Sequence, residues 1–416
     1  MLKTFEVLKN AIKLKNTTVV IDNLVFKFHY RATVLILLAG CVLVTSQQYI
    51  GEHIKCIGSG DGKKIPEHVL NTFCFFTATY TVVKHLNASY LETGYIAHPG
   101  VGPLPAYSDE EIIRHAYYQW VPFVLFLQAI LFYLPHLIWK RKEGGRVKML
   151  VVGLQLASFA IHDKPYEVQG MKIPSKSEKK NHFKTIKKAF ISNLHNQPWS
   201  YWLVSCEILN LFNLIINIYL TNKFLGNNFL RLGPTVCSQG LESDIDILDE
   251  VFPKVTKCDF FKYGPSGSIQ KFDALCVMAL NIVNEKIYLV LWFWFLLLLI
   301  VTIIGLLWRL LTILLHARST KFTSFVFSMA CPGKLKFHDV ATVSGKSHFA
   351  DWLFLYYIAK NMDGHVFKEL FVSLAEDLDG TNSDSSEYIE DDNHDLLPPK
   401  VDIDEVDELH SDVTSL

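Results

Sequence analysis

Long uncharged apolar runs alternate with charged segments along this chain, and the alternation defines its elements. Residues 121–139 hold no charged side chain, and only Gln128 and His136 among them are strongly polar. About 20 such residues cross a hydrocarbon core of roughly 30 Å as a helix. Tyr117, Tyr118 and Trp120 stand at one end of the run; Trp139, Lys140, Arg141 and Lys142 stand at the other. Aromatic rings prefer the headgroup level and clustered Lys/Arg the cytoplasmic side, so the segment has a depth and a direction. Residues 32–50, 201–222 and 287–315 form three further runs of this kind. Four of them, with aromatic and basic flanks, argue against buried core helices of a soluble protein.

The connecting segments orient the spans. Residues 1–31 carry six Lys/Arg and two acids, and residues 140–200 carry thirteen and four. Residues 51–118 carry five against seven, and residues 223–286 seven against eight. An excess of Lys/Arg marks the cytoplasmic side, so the first and third segments lie inside and the other two outside. The predicted fold is an all-α membrane protein: a four-helix bundle with spans at 32–50, 119–139, 201–222 and 287–315 and both termini in the cytoplasm. No cleaved leader is expected, because the charged arm lacks a compact apolar core followed by small residues. Residues 316–375 read as a cytoplasmic helical region, with Asp351 as a cap-like residue. Residues 376–416 hold fifteen acids and one base and read as a disordered tail.

Several polar positions interrupt the apolar runs. In the third span Glu207, Asn210, Asn213 and Asn217 fall near one helical face. That stripe either makes interhelical hydrogen bonds or lines an aqueous path, since ionisable groups in a span face protein or water. Gln47 and Gln48 end the first span and pose the same choice. Pro135 is placed to kink the second span. Arg309, near the inner end of the fourth, is expected to snorkel toward the interface. Met1, Leu2, Phe5 and Leu8 begin an amphipathic arm that lies on the inner leaflet or folds into a central pore.

Chemistry-bearing motifs are few. Five cysteines lie outside: Cys56 and Cys74 in the first outer segment, and Cys237, Cys258 and Cys276 in the second. Their spacing suits neither a CxxC redox motif nor, without a paired His, a zinc site. Structural disulfides are the expected use, each stabilising by roughly 2–5 kcal/mol, with one cysteine left over. The string GSGDGKK at 58–64 departs from a phosphate loop in spacing and lacks the Ser/Thr after the lysine. DLDG at 377–380 places its glycine too early for a calcium loop. The basic inner loop fits anionic lipid better than nucleic acid, given the membrane beside it, or else presents a solvated helix face. Asn87 heads an outward-facing glycosylation sequon. Thr414 and Leu416 suit capture by a PDZ domain. No nucleophile, paired acid and base, metal site or cofactor site is recognised, so the chain reads as a non-enzyme without a cofactor.

Longer strings carry a resemblance. YYQWV, formed by Tyr117, Tyr118, Gln119, Trp120 and Val121, resembles the signature of the innexins, the invertebrate gap-junction proteins. DNLVFKFHYRATV at 22–34, VTSQQYIG at 44–51, EGGRVKML at 143–150, FPKVTKCDFFKYGPSGSIQ at 252–270 and NEKIYLVLWFWF at 284–295 are also innexin-like. The resemblance implies a plasma-membrane subunit that oligomerises, with itself or other innexins, into a ring around a pore, expected to be octameric. Two such hemichannels would dock across the intercellular gap and pass ions and small molecules. It further implies bridges Cys56–Cys276 and Cys74–Cys258, with Cys237 outside the paired set, and an N-terminal arm that narrows the pore. An undocked hemichannel releasing small molecules is the alternative. A four-span adhesion protein is a more distant one, since the second outer segment lacks the CCG motif of tetraspanins.

Overall fold

The computed structural model describes residues 19–51, 53–58, 65–86, 90, 93–103, 110–151, 166–168, 171–173, 175–192, 198–239, 247–330 and 335–380. The expectations for Met1, Leu2, Phe5, Leu8, Asn87, Thr414 and Leu416 fall outside the described residues. Four long apolar helices dominate: α1 (Leu24–Tyr49), α3 (Val121–Glu143), α6 (Pro198–Phe224) and α9 (Ala279–Leu315). Each is long enough to cross a bilayer, and α1 begins eight residues before the apolar run at 32. With its 37 residues, α9 measures about 55 Å at 1.5 Å per residue, well beyond the hydrocarbon core. Its outer end therefore enters the extracellular domain.

Helix α1 is not uniform. Residues Phe28–Thr33 form a π-helical segment inside it. Thr33 closes that segment by donating its hydroxyl to the Phe28 carbonyl at 2.9 Å. The indole of Trp294 on α9 donates to the same Thr33 oxygen at 2.9 Å.

Pro135 lies inside α3, which runs unbroken across it. Proline removes the N–H that would bond the carbonyl four residues back. That carbonyl, on Leu131, accepts instead from the Asn213 amide of α6 at 3.1 Å. The same interface is tied by Gln128, which donates to Thr221 at 2.7 Å. Asn217 donates back to the Asn213 carbonyl and side chain. Glu207, Asn210 and Asn217 are buried and Asn213 is half-buried, so the stripe faces protein within the subunit.

The two outer segments build a five-stranded antiparallel sheet, which hydropathy alone does not reveal. Its strands are β1 (Lys55–Gly58), β2 (Thr79–Val82), β3 (Ile112–His115), β6 (Val255–Tyr263) and β7 (Ile269–Val277), in the order β1-β7-β6-β2-β3. A short hairpin, β4 (Tyr166–Val168) with β5 (Met171–Ile173), belongs to the inner loop. Because β1 pairs β7 and β2 pairs β6, strands from one outer segment flank those of the other. Helix α2 (Glu67–Thr77) packs on this sheet, and α7 (Phe229–Gln239) and α8 (Ile247–Val251) precede β6 in the second outer segment.

The inner ends of the bundle merge with a helical domain: α4 (Arg146–Val151), α5 (Lys176–Ser192), α10 (Thr320–Ala330), α11 (Phe337–Lys346), α12 (Phe349–Lys360) and α13 (Gly364–Gly380). Its core is aromatic. Trp139 of α3 meets Trp199 of α6 edge-on at 5.2 Å, and Trp199 meets Phe354 and Tyr357 of α12. Phe327, Trp352, Phe367 and Phe371 extend the cluster. Two sequence expectations need correction here. Asp351 is not the cap of α12: the helix starts at Phe349 with His348 before it, and Asp351 is buried in the first turn. The acidic region does not begin as disorder at 376, because α13 continues to Gly380 and buries Leu378. The motif DLDG is thus helical.

Candidate functional site: the outer sheet and the polar centre of the bundle

Two disulfides hold the outer domain. Cys56 and Cys276 are direct register partners on β1 and β7 and are bonded to each other. Cys74, on α2, is bonded to Cys258 on β6. The sulfurs of Cys56, Cys74 and Cys276 lie within 4.8 Å of one another. Cluster geometry of this kind can suit a metal, but disulfide sulfurs are not thiolates and do not ligate one. Among the described residues, Cys41, Cys206 and Cys237 are unpaired, and only Cys237 is exposed.

The string Tyr117–Val121 supports the cysteine on α2. The Tyr118 hydroxyl donates to the Phe75 carbonyl at 3.2 Å, and the Gln119 amide donates to the same oxygen. Both contacts fall one residue from Cys74, in the last turn of α2, where carbonyls lack intrahelical partners. Burial pushes the Tyr118 hydroxyl up to about 12, so it stays a donor. The Tyr117 ring meets Phe224 and Phe252 edge-on. Val121 is buried, whereas Trp120 is exposed at the start of α3, where an interfacial ring belongs.

The β6–β7 hairpin presents two unlike faces. Phe260 turns inward and meets Phe73 of α2 edge-on at 4.7 Å. On the other face, Lys257 pairs with Asp273 and Lys271 with Asp259. Farther out, Phe261, Tyr263 and Ile269 are 51%, 73% and 66% exposed. An apolar tip so open to solvent is a mark of an interaction surface. Gln47 and Gln48 sit half-buried at the outer end of α1, below this domain.

A second arrangement lies in the inner half of the bundle. Arg309 of α9 does not snorkel outward but is buried against α6. Its Nε donates to Glu207 Oε2 at 2.8 Å and its Nη2 to Glu207 Oε1 at 2.6 Å. Asn23 adds a third donor to Oε1 at 2.7 Å. Arg309 is 9% and Glu207 6% exposed. Bidentate geometry is the form in which a guanidinium best neutralises a carboxylate away from water. Beside the pair, His29 Nε2 and the Thr302 hydroxyl lie 2.8 Å apart. A cavity of about 10 Å³, bordered by Asn23, His29, Glu207, Asn210 and Thr302, adjoins them. The Tyr357 hydroxyl of α12 sits beside the Arg309 guanidinium, which joins this centre to the cytoplasmic domain.

The innexin family profile matches residues 22–378, nearly the whole chain. The chain belongs to the innexin family. It is 46% identical to innexin inx7 of Drosophila melanogaster over 388 residues, covering 92% of this chain and 87% of that protein. It is 43% identical to innexin inx2 of Schistocerca americana over 386 residues, covering 91% and 99%. Innexin shaking-B of Drosophila melanogaster is 37% identical over 383 residues, covering 90% and 94%. This innexin is accordingly a four-span plasma-membrane protein and a gap-junction channel subunit. Hydropathy and motif spacing miss its outer sheet and the partner of Glu207. Arg309 is itself a signal for the partner: an arginine in an apolar helix and a glutamate in a neighbouring one both need a counter-charge.

Proposed function

We propose that this innexin forms an octameric ring, alone or with other innexins, and docks with a ring on the adjoining cell through the β6–β7 hairpin. The carrying observation is a rigid outer domain with an exposed apolar tip at Phe261, Tyr263 and Ile269. Two disulfides and a sheet drawn from both outer segments hold that tip, which limits the ordering cost when two surfaces meet. The pore is narrowed by the arm that begins at Met1, Leu2, Phe5 and Leu8, with Gln47 and Gln48 lining its outer vestibule. The polar stripe of Glu207, Asn210, Asn213 and Asn217 serves packing, because Glu207, Asn213 and Asn217 are spent on hydrogen bonds within the subunit and Asn210 is buried beside them. The bilayer, and a PDZ protein at Thr414 and Leu416, complete the partners. A glycan on Asn87 would set how closely membranes approach. Transport of ions and small molecules needs no catalytic group or cofactor.

The test is recording from paired cells that lack gap junctions of their own. Tyr263→Asp and Ile269→Asp are expected to abolish current between cells while current through single-cell membranes persists. Junctional current unchanged in both variants, at equal surface amounts, would show that docking uses another surface.

A further inference from the structure

The chain just before α1 is held more firmly than a connecting segment needs to be. Val19 is 8% and Asp22 4% exposed, although both precede the span. Asp22 accepts from the Tyr30 hydroxyl at 2.9 Å and from the Trp139 indole at 3.0 Å. Those donors belong to α1 and α3. The third hold comes from the cytoplasmic domain. Asn361, which follows α12, accepts from the Val20 N–H with its Oδ1 and donates its Nδ2 to the Val20 carbonyl at 2.7 Å. The same Nδ2 donates to the Tyr357 carbonyl at 2.7 Å, one turn back in its own helix.

An asparagine side chain carries the same acceptor and donor as a peptide group. It therefore pairs with both backbone groups of one residue, as a neighbouring strand would. An aspartate of the same shape accepts only. It would keep the Val20 N–H and turn two carbonyls toward a negative charge. Backbone groups are read without regard to side chain, so the grip fixes the position of the chain at residue 20.

We propose that Asn361 is a positioning residue for the N-terminal arm. Through it, the cytoplasmic helical domain sets where the arm leaves the bundle and hence how the pore is occupied. This rests on the reading above that residues 1–14 enter the pore. The domain is linked to the transmembrane helices at a second point, Tyr357 beside Arg309, so movement of α12 reaches both the arm and the bundle. Losing one net hydrogen bond shifts a held-to-released equilibrium by roughly 2- to 10-fold.

The experiment uses the full chain in paired and single cells, with surface amount matched. Asn361→Asp is compared with deletion of residues 2–14 and with the two combined. The expected result is that the deletion changes unitary conductance. Asn361→Asp should change the ratio of steady-state to instantaneous conductance by roughly 2-fold or more in the full chain, from the same hydrogen-bond range. In the deletion background Asn361→Asp should change nothing further, because the segment it positions is gone. A purely structural effect on α12 would persist in that background and would overturn the proposal. So would an unchanged conductance ratio in the full chain. If the deletion leaves unitary conductance unchanged, the pore-arm reading and the positioning role fail together. Val20→Pro removes the donated N–H from the arm side and leaves the α12 cap intact. It is expected to act like Asn361→Asp, and it keeps the proposal open to refutation if the aspartate variant does not reach the surface.

Discussion

Removing the guanidinium of Arg309 isolates a carboxylate inside the bundle. In Arg309→Met, Glu207 keeps only the Asn23 donor of its three charge-assisted or polar contacts. Breaking a buried pair by removing one partner costs roughly 3–5 kcal/mol, because the remaining charge is left uncompensated. Replacing both partners by apolar groups costs much less. In Glu207→Met with Arg309→Met the remaining loss is the orphaned Asn23 amide, about 1–3 kcal/mol. Midpoints of thermal unfolding shift by roughly 1–2 °C per kcal/mol for a chain of this length, extending the size scaling of smaller domains. Either single variant should thus fall by roughly 3–10 °C, and the double variant by less than the worse single. The assay is the melting midpoint of detergent-solubilised full-length protein, followed by size exclusion. Unshifted single variants, or a double variant whose loss equals the sum of the singles, would refute a coupled buried pair.

Other perturbations have equally definite outcomes. Asn213→Leu should lower the melting midpoint, because the Leu131 carbonyl left bare by Pro135 loses its donor at a cost of about 1–3 kcal/mol. Adding Pro135→Ala restores the backbone N–H and should recover most of that loss; no recovery would mean that Asn213 acts elsewhere. Burial lowers the pKa of His115, on β3, to about 4, from an unfolded value of 6.5. Its stabilising share is complete above pH 6.5 and is lost as pH falls toward 4, amounting to about 3 kcal/mol. Melting between pH 7.5 and pH 4.5 should therefore decline less steeply in His115→Gln than in the parent, the parent losing roughly 1.4 kcal/mol more for each step of one in pH between those two pKa values; parallel declines would remove His115 from the account. Truncation after Gly380 should leave the melting midpoint unchanged. Truncation after Ala375 should lower it, since it removes buried Leu378 and the carbonyl to which Lys346 donates.

The spans are legible in the sequence because crossing hydrocarbon requires an unbroken apolar run, and little else in the chain imitates residues 121–139. The outer sheet is not. Strand β2 buries all four residues, and β1 buries only Cys56, so neither shows the alternation that marks a half-buried strand. Helix α2 stands between them, and the pairing that makes β1 a strand, as well as the one that joins β2 to β6, spans about two hundred residues of chain. Periodicity places Glu207 on the correct face of its helix but leaves its partner looking like an interfacial arginine. It gives a direction around the axis, not a depth along it, and α9 is too long for its residues to be placed by counting from an end. The start of α12 escapes sequence reasoning for a related reason. Asp351 looks like a cap before an apolar run, yet Phe349 already belongs to the helix.

The interleaving of strands has a consequence for inheritance. A loop that folds by itself can be exchanged between relatives like a cassette. Here β1 completes an edge of the sheet against β7, and β2 with β3 completes the other against β6. Among the described residues, each outer segment leaves strand edges that the other closes. A chimera that takes one segment from another innexin inherits strands cut to fit a different mate, and it risks misfolding before any question of docking arises. The pair must travel together, so variation in partner choice is confined to positions such as the hairpin tip, or arrives as matched changes on both sides of the sheet.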